Sequence, residues 1–236
     1  MKKETLAEVL RDIAAKRSVV LSTDLRTGEG RVVHPFEDPP GAEPALAALA
    51  REAASRDASG VVETPAGKVF LRVFNPPVRV IVVGAVHIAQ SFAPMVRQAG
   101  YDVLVVDPRR SFASPERFDG IPLVSEWPDE ALARAGLDRR TAVVTMTHDP
   151  KIDDPALAAA LRSDAFYVGA LGSKKTQAAR RERLRAMGFT DADVARVHGP
   201  VGLPINAATP GEIAVSILSE LVGALRGAAT PARTAA

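Results

Sequence analysis

The chain has 236 residues, of which 47% are hydrophobic and 25% charged, with 30 basic against 28 acidic residues and a formal net charge of +2. That length suits one large domain or a small domain joined to a medium one, and the balanced charge gives no case for nucleic-acid binding. There is no cysteine, which excludes disulfides, thiolate metal sites, a cysteine nucleophile and a persulfide carrier within the chain.

In chain order, Leu6, Val9, Leu10 and Ile13 recur at helical spacing and predict an amphipathic helix over Glu4 to Lys16. This start has no long apolar run and is not a signal peptide, and no stretch approaches the ~20 apolar residues of a membrane helix. A cytoplasmic protein without membrane contact is expected. Ser18 to Thr23 and Arg31 to His34 read as strands around the turn at Thr27 to Gly30, and Pro44 opens a helix to about Arg56. Gly60 to Glu63 and Lys68 to Phe74 form a second strand pair. Asn75-Pro76-Pro77 then breaks the pattern, because proline removes a ladder donor and biases its predecessor toward extended geometry. Residues 1–75 therefore read as a small α+β domain.

Beyond the boundary the rhythm changes. Val78 to Val83 is a continuous apolar run, as expected of a strand buried on both faces. A helix from Ile88 to Ala99 follows, then strands at Tyr101 to Val106, Ala142 to Met146 and Ala165 to Val168. Helices are expected at Pro155 to Leu161, Lys174 to Met187 and Pro210 to Leu225. This alternation predicts an α/β, Rossmann-like doubly wound parallel sheet over residues 76–226, with a frayed tail at 227–236.

The first strand-turn-helix of that domain turns through Gly84-Ala85-Val86-His87-Ile88-Ala89. A dinucleotide-binding turn asks for G-x-G-x-x-G/A. Asp107 ends the second strand twenty-three positions after Gly84, close to the ~20 expected of a carboxylate that grips a ribose diol. Val86 stands where the middle glycine lets backbone approach a pyrophosphate, and a β-branched residue resists the positive φ open to glycine. NAD(P) binding is thus expected to be weakened. Arg109 and Arg110 are placed to receive a 2′-phosphate or to be solvated.

Two later loops leave the C-terminal ends of strands, where open α/β sheets bind ligands. In VVTMTHDPKIDDPAL, His148 is a candidate ligand contact. Its neighbours Asp149, Asp153 and Asp154 resemble a metal set, but Asp154 as N-cap with Pro155 at N1 accounts for the acids, and no metal ligand is assigned. In YVGALGSKKTQAARRERL, Gly169 and Gly172 allow a tight turn and Ser173 caps a helix that starts with Lys174 and Lys175, an anion-attracting arrangement. Arg180, Arg181, Arg183 and Arg185 read as a solvated or interface face. Thr209, Pro210 and Glu212 form a capping box, after which Ile213, Ile217, Leu218 and Leu221 make an apolar stripe. The Gly/Pro loop before it is a candidate pocket wall.

Together, VFNPPVRVIVVGAVHIA, VVDPRRSFASPERF, VVTMTHDPKIDDPAL, YVGALGSKKT and GPVGLPINAATPGEIAVSILSEL resemble the XdhC/CoxI family over about Val69 to Leu225. These are accessory factors of molybdenum hydroxylases such as xanthine dehydrogenase and carbon monoxide dehydrogenase. The resemblance implies a non-catalytic maturation chaperone that binds the molybdenum cofactor (molybdopterin), supports its sulfuration by a cysteine desulfurase and hands it to the apo molybdenum hydroxylase. The chain is expected to form a homodimer. Cofactor-binding candidates are then Gly84, His87, Asp107, Arg109, His148, Gly172, Ser173, Lys174 and Lys175. Two departures stand out. The family turn usually reads GAGHVG, whereas here it is GAVHIA, with the histidine kept as His87. The family's GGCVE-like N-terminal segment has no counterpart. The rival readings are an NAD(P)-dependent oxidoreductase, against which no acid/base pair of the Tyr-x-x-x-Lys kind is evident, and an interaction module for the apoenzyme that binds no ligand.

Overall fold

The structure, a computed structural model, describes residues 2–37 and 43–227. All of the tail expected to fray, Gly227 excepted, lies outside the described residues. The chain divides into two compact units. One runs to Pro76 and takes in Leu225–Gly227; the other spans Pro77–Ala224.

The first unit is built from α1 (Lys3–Ala14), β1 (Val19–Asp24), β2 (Gly30–Val33), α2 (Pro44–Ser55), β3 (Gly60–Thr64) and β4 (Gly67–Phe74). Its four strands form an antiparallel sheet in the order β2-β1-β4-β3. The face of α2 carrying Leu46, Ala50 and Ala54 packs against Val20, Val69 and Leu71. The first helix differs from its expected role. Only Val9 and Asp12 of α1 are buried, while Leu6, Leu10 and Ile13 are each more than two-fifths exposed. The periodicity found the helix, but most of the apolar stripe faces outward.

The second unit contains β5 (Arg79–Val83), α3 (His87–Gln98), β6 (Asp102–Val106), β7 (Leu123–Val124), α4 (Pro128–Ala135), β8 (Thr141–Thr145), α5 (Pro150–Leu161), β9 (Tyr167–Ala170), α6 (Lys174–Ala186), α7 (Asp191–Ala195), β10 (Val197–His198) and all but the last two residues of α8 (Pro210–Arg226). All six strands are parallel, in the order β10-β9-β8-β5-β6-β7. The chain starts at the centre with β5, winds outward one way through β6 and β7, then returns to β8 and winds the other way. This is the Rossmann order, and its switch point lies between β5 and β8, where the crevice outside the strand ends receives ligands. The apolar runs are explained by burial on both faces: every residue of β8 is buried, as are Val80 to Val83 of β5. The core joins Ile81, Val83, Val143 and Val168 of the sheet to Ile152, Ala156, Leu157 and Ala160 of α5.

Several local expectations are corrected. Helix α5 starts five residues earlier than expected, because the first of two Asp-Pro pairs does the capping. Asp149 accepts a hydrogen bond from the Lys151 N–H and Pro150 opens the helix. Pro155 lies inside the helix, and Asp154 is an interior residue 3% exposed whose carboxylate accepts from Arg183 Nη2 at 3.0 Å. Gly169 belongs to strand β9 rather than to a turn. Strands β7 and β10 and helices α4 and α7 were not expected; the strands have two residues each and α7 has five, too short for a periodic signal.

Candidate functional site

Register sets the site. Val83 pairs with Val106 on one side and with Thr145 on the other, and Thr145 pairs with Ala170. Gly84, Asp107, Met146-Thr147 and Leu171 therefore leave the sheet at one level, and about 4.8 Å separates neighbouring strands. Gly84 has φ 112°, and a Cβ there would lie 2.6 Å from Thr147 Cγ2. Glycine at this position is thus demanded by the backbone and by the close approach of the next loop. Val86 needs no such freedom. It is extended, φ −87° and ψ 176°, and supplies no side-chain cap to α3. The positive φ of the turn falls on Gly84, so the conformational objection to valine does not hold here. His87, the first residue of α3, is exposed.

Asp107 is fully buried and its carboxylate is saturated by its own chain. Oδ2 accepts from the Ala85 N–H at 2.8 Å and from Arg109 Nη2 at 2.7 Å; Oδ1 accepts from the Arg109 N–H and Nε, both at 2.9 Å. Burial alone would raise this carboxyl, but the four N–H donors outweigh it and hold it below the ordinary aspartate range. An ionised carboxylate offers about four lone-pair positions, so none is left for a ribose diol while Arg109 stays in place. The guanidinium is also fixed from the other side, lying 4.1 Å over the Phe112 ring.

The loop after β8 is held from beneath. Asp153 is buried on α5, and its Oδ1 accepts from Thr147 Oγ1 at 2.7 Å. Its Oδ2 accepts from the His148 N–H at 3.2 Å and from Arg180 Nη2 at 3.0 Å. His148 is exposed and left-handed, φ 66°; a non-glycine residue at positive φ costs about 1–3 kcal/mol and persists only where surroundings over-determine it. Here Asp153 supplies that constraint. The acids around His148 are each committed: Asp149 caps α5, Asp153 binds loop and arginine, and Asp154 binds Arg183.

Arg180 corrects the expectation of a solvated arginine face. It is 2% exposed and bonds Asp153, the Leu171 carbonyl and Gln177 Oε1, while Gln177 Nε2 reaches the Ala170 carbonyl. Burial draws its pKa down and pushes Asp153 up, against their mutual attraction. A pair of this kind specifies geometry more than it adds net stability. It joins the loops after β8 and β9 into one support. Above it, Gly172 turns at φ 139° and Ser173 caps α6, its Oγ accepting from the Thr176 N–H at 3.2 Å. Lys174 and Lys175 are exposed in a first turn without acidic residues.

The structure thus brings Gly84, Asp107, Arg109 and His148 to the switch point and sets Gly172, Ser173, Lys174 and Lys175 one strand away. The negative charges of Asp149 and Asp153 reach Arg109, consistent with a single cluster. A concavity on the first unit, lined by Ser22, Asp24, Glu29 and Arg31 among others, shares none of this chemistry. Sequence reasoning missed Asp153 and Arg180 as supports of these loops, and it missed a buried cluster outside the site, in which Glu220 accepts from the Tyr167 hydroxyl at 2.7 Å and the Gly202 N–H at 2.8 Å and lies 3.4 Å from His198 Nδ1. The signal that could have found two of them is a charged residue in line with buried positions of a helix: Arg180 with Leu184, and Glu220 with Ile217 and Leu221.

Comparison with known proteins agrees with this architecture. The chain is 31% identical over 148 residues to the molybdenum cofactor insertion chaperone PaoD of Escherichia coli, covering 63% of this chain and 40% of that protein. It is 30% identical over 154 residues to the uncharacterized protein YqeB of Escherichia coli, covering 65% and 28%. A probable xanthine dehydrogenase subunit of Bacillus subtilis is 28% identical over 154 residues, covering 65% and 44%. The chain spans less than half the length of these curated relatives. A solved structure described as a xanthine dehydrogenase from Bacillus halodurans superposes with a TM-score of 0.66 at 22% identity, over 98% of this chain and 66% of that one, a likeness of fold alone. The family model of the XdhC Rossmann domain matches residues 80–221, well over half of the chain, and the chain belongs to the XdhC family.

Proposed function

We propose that the chain is a maturation factor that holds the molybdenum cofactor for insertion into an apo molybdenum hydroxylase. Family membership and the likeness to PaoD, a cofactor insertion chaperone, support this reading. The observation that carries it is the contrast along one sheet edge. The carboxylate that would grip a nucleotide ribose, Asp107, is saturated by Arg109 and Ala85, whereas the start of α6 offers two exposed lysines and helix-end N–H groups.

The donor set fits the group. A pterin dithiolene with a terminal phosphate is an anion, and helix N-termini with nearby cations attract phosphate. The first turn of α6, with Lys174 and Lys175, would hold the phosphate, while His148, presented by Asp153, and His87, at the start of α3, would contact the rest of the ligand. When bound, the group supplies the metal centre that the hydroxylase later uses. The part of this chain is to bind, orient and release. With no cysteine in the chain, any sulfur added during maturation comes from a partner, a cysteine desulfurase in this reading, and the assembly is read as a homodimer in the cytoplasm.

The test is to purify the full chain from cofactor-producing cells and identify released small molecules by mass spectrometry. A pterin released by the wild type, and depleted in a Lys174→Ala/Lys175→Ala variant, is the expected result. Micromolar binding of NAD(P) with no pterin would replace this reading by the oxidoreductase. No small molecule under any condition would leave an interaction module for the apoenzyme.

A further inference from the structure

The first unit holds a cluster of ligating side chains that the proposed function leaves unused. Glu8 and Asp12 lie one turn apart on α1, and His34 directly follows β2. Asp12 is 6% exposed, and its Oδ2 lies 2.9 Å from His34 Nε2. Glu8 and His34 are partly buried. One oxygen from each carboxylate and one imidazole nitrogen all lie within 4.8 Å of one another. Among the described residues, no hydrogen bond or ion pair engages the Glu8 carboxylate. Like charges four positions apart destabilise a helix, and burial of Asp12 adds to that cost. Arg17 answers only part of it. Its Nη1 lies 3.5 Å from Asp12 Oδ1, while its Nη2 donates to Glu37 at 2.5 Å. Three carboxylates thus share one guanidinium, which leaves a formal excess of two negative charges.

We propose that Glu8, Asp12 and His34 form a site for one divalent transition ion of the zinc kind, which ties α1 to the end of β2. The donor set selects the class of ion. Imidazole with carboxylates suits zinc and its neighbours, whereas magnesium and calcium take oxygen ligands. Three protein ligands leave one position for water, and no thiolate is needed. Zinc holds imidazole nitrogen and carboxylate oxygen at about 2.0–2.2 Å, so tetrahedral neighbours stand about 3.4 Å apart. Asp12 and His34 are near that spacing, and the unengaged Glu8 side chain is free to close the third corner. The ion takes the place of the proton between Asp12 Oδ2 and His34 Nε2, and His34 then carries its proton on Nδ1. Arg17 stays with the other Asp12 oxygen. The link answers a weakness of the helix. Only Val9 and Asp12 of α1 are buried, while Leu6, Leu10 and Ile13 are exposed, so little apolar burial holds α1 against β1 and β2. A metal bridge supplies docking that the apolar face does not.

The site belongs to the first unit and stands or falls apart from the cofactor reading. The test is calorimetric titration of the full chain, stripped with a chelator, with zinc, together with amide hydrogen exchange along α1. Zinc should bind with micromolar affinity and slow the exchange of the α1 amides. Glu8→Gln breaks no contact among the described residues, so it should keep the fold while weakening zinc about tenfold or more and abolishing the added protection of α1; a tenfold loss is ~1.4 kcal/mol. His34→Gln should weaken zinc at least as much. Millimolar magnesium should give α1 no protection. Zinc affinity unchanged in both variants, or zinc binding that leaves α1 exchange as it was, would place the ion on other histidines and overturn the site. No zinc binding below about 100 μM would overturn it as well, and equal protection by magnesium would overturn the class of ion.

Discussion

The two halves of the parallel sheet start from the same plan and end differently. In the first half, β5-α3-β6 keeps the outline of a nucleotide-binding unit, with a glycine at Gly84 where a side chain would be strained and would clash with Thr147, and an acid at the end of the second strand. Its acid is turned inward: Asp107 holds Arg109 and the turn itself. In the second half the buried acids sit on helices, Asp153 on α5 and Glu220 on α8, and His148, Lys174 and Lys175 are left exposed. A buried carboxylate can thus either fill a site or build one. What decides is whether the groups it binds are the ones a ligand would otherwise meet.

The sharpest way to break the second half is at its support. Arg180→Ala should leave Asp153 as an uncompensated buried charge and cost about 3–5 kcal/mol in urea unfolding. A loss below ~1 kcal/mol would mean that the loops after β8 and β9 stand without it. Next in size is Glu220. Its folded carboxyl lies near 2, below the ordinary 4.5, so its contribution is present above pH 4.5 and is lost as pH falls toward 2. The shift corresponds to about 3 kcal/mol at 1.36 kcal/mol per unit. Stability of the wild type relative to Glu220→Gln should fall by that order between about pH 5 and about pH 2; parallel curves would remove the carboxylate from the account.

Smaller effects sharpen the contrast at the ligand. Lys174→Ala/Lys175→Ala should weaken retention of a phosphate-bearing ligand about tenfold at low salt and less at moderate salt, because exposed charges are screened. Retention unchanged at both salt levels would make the lysines a solvated helix start. The smallest effect is expected in the first half. Val86→Gly alone should change NADH affinity by less than about threefold, since a factor of ten needs ~1.4 kcal/mol and Asp107 remains occupied. Only in combination with Arg109→Ala should fluorescence titration detect tighter NADH binding. A large gain from Val86→Gly alone would show that valine, not the Asp107–Arg109 pair, closes the site.

Much of this architecture is legible in the residues alone. The sheet class, the cap at Ser173 and the capping box of Thr209 with Glu212 follow from nearest-neighbour chemistry, and the bonds are there: Glu212 accepts from the Thr209 N–H at 2.9 Å and Thr209 Oγ1 from the Glu212 N–H at 3.2 Å. The same local logic fails at α5, where two Asp-Pro pairs compete. Either could cap, and proline disfavours a helical predecessor, so Asp154-Pro155 looks like a start. The second pair becomes helix interior because Arg183 holds Asp154.

What the sequence determined by itself is what a few consecutive residues decide: periodicity, turns, caps and the alternation of buried strands with helices, all governed by contacts within about four positions. What only the tertiary structure decided is which charges are spent inside. Asp107 meets the Ala85 N–H across 22 positions, Arg180 meets Asp153 across 27, His198 meets Glu220 across 22 and Tyr167 meets Glu220 across 53. A charge can be buried only against a partner or a set of donors, and those partners come together only when the strands take their places in the sheet.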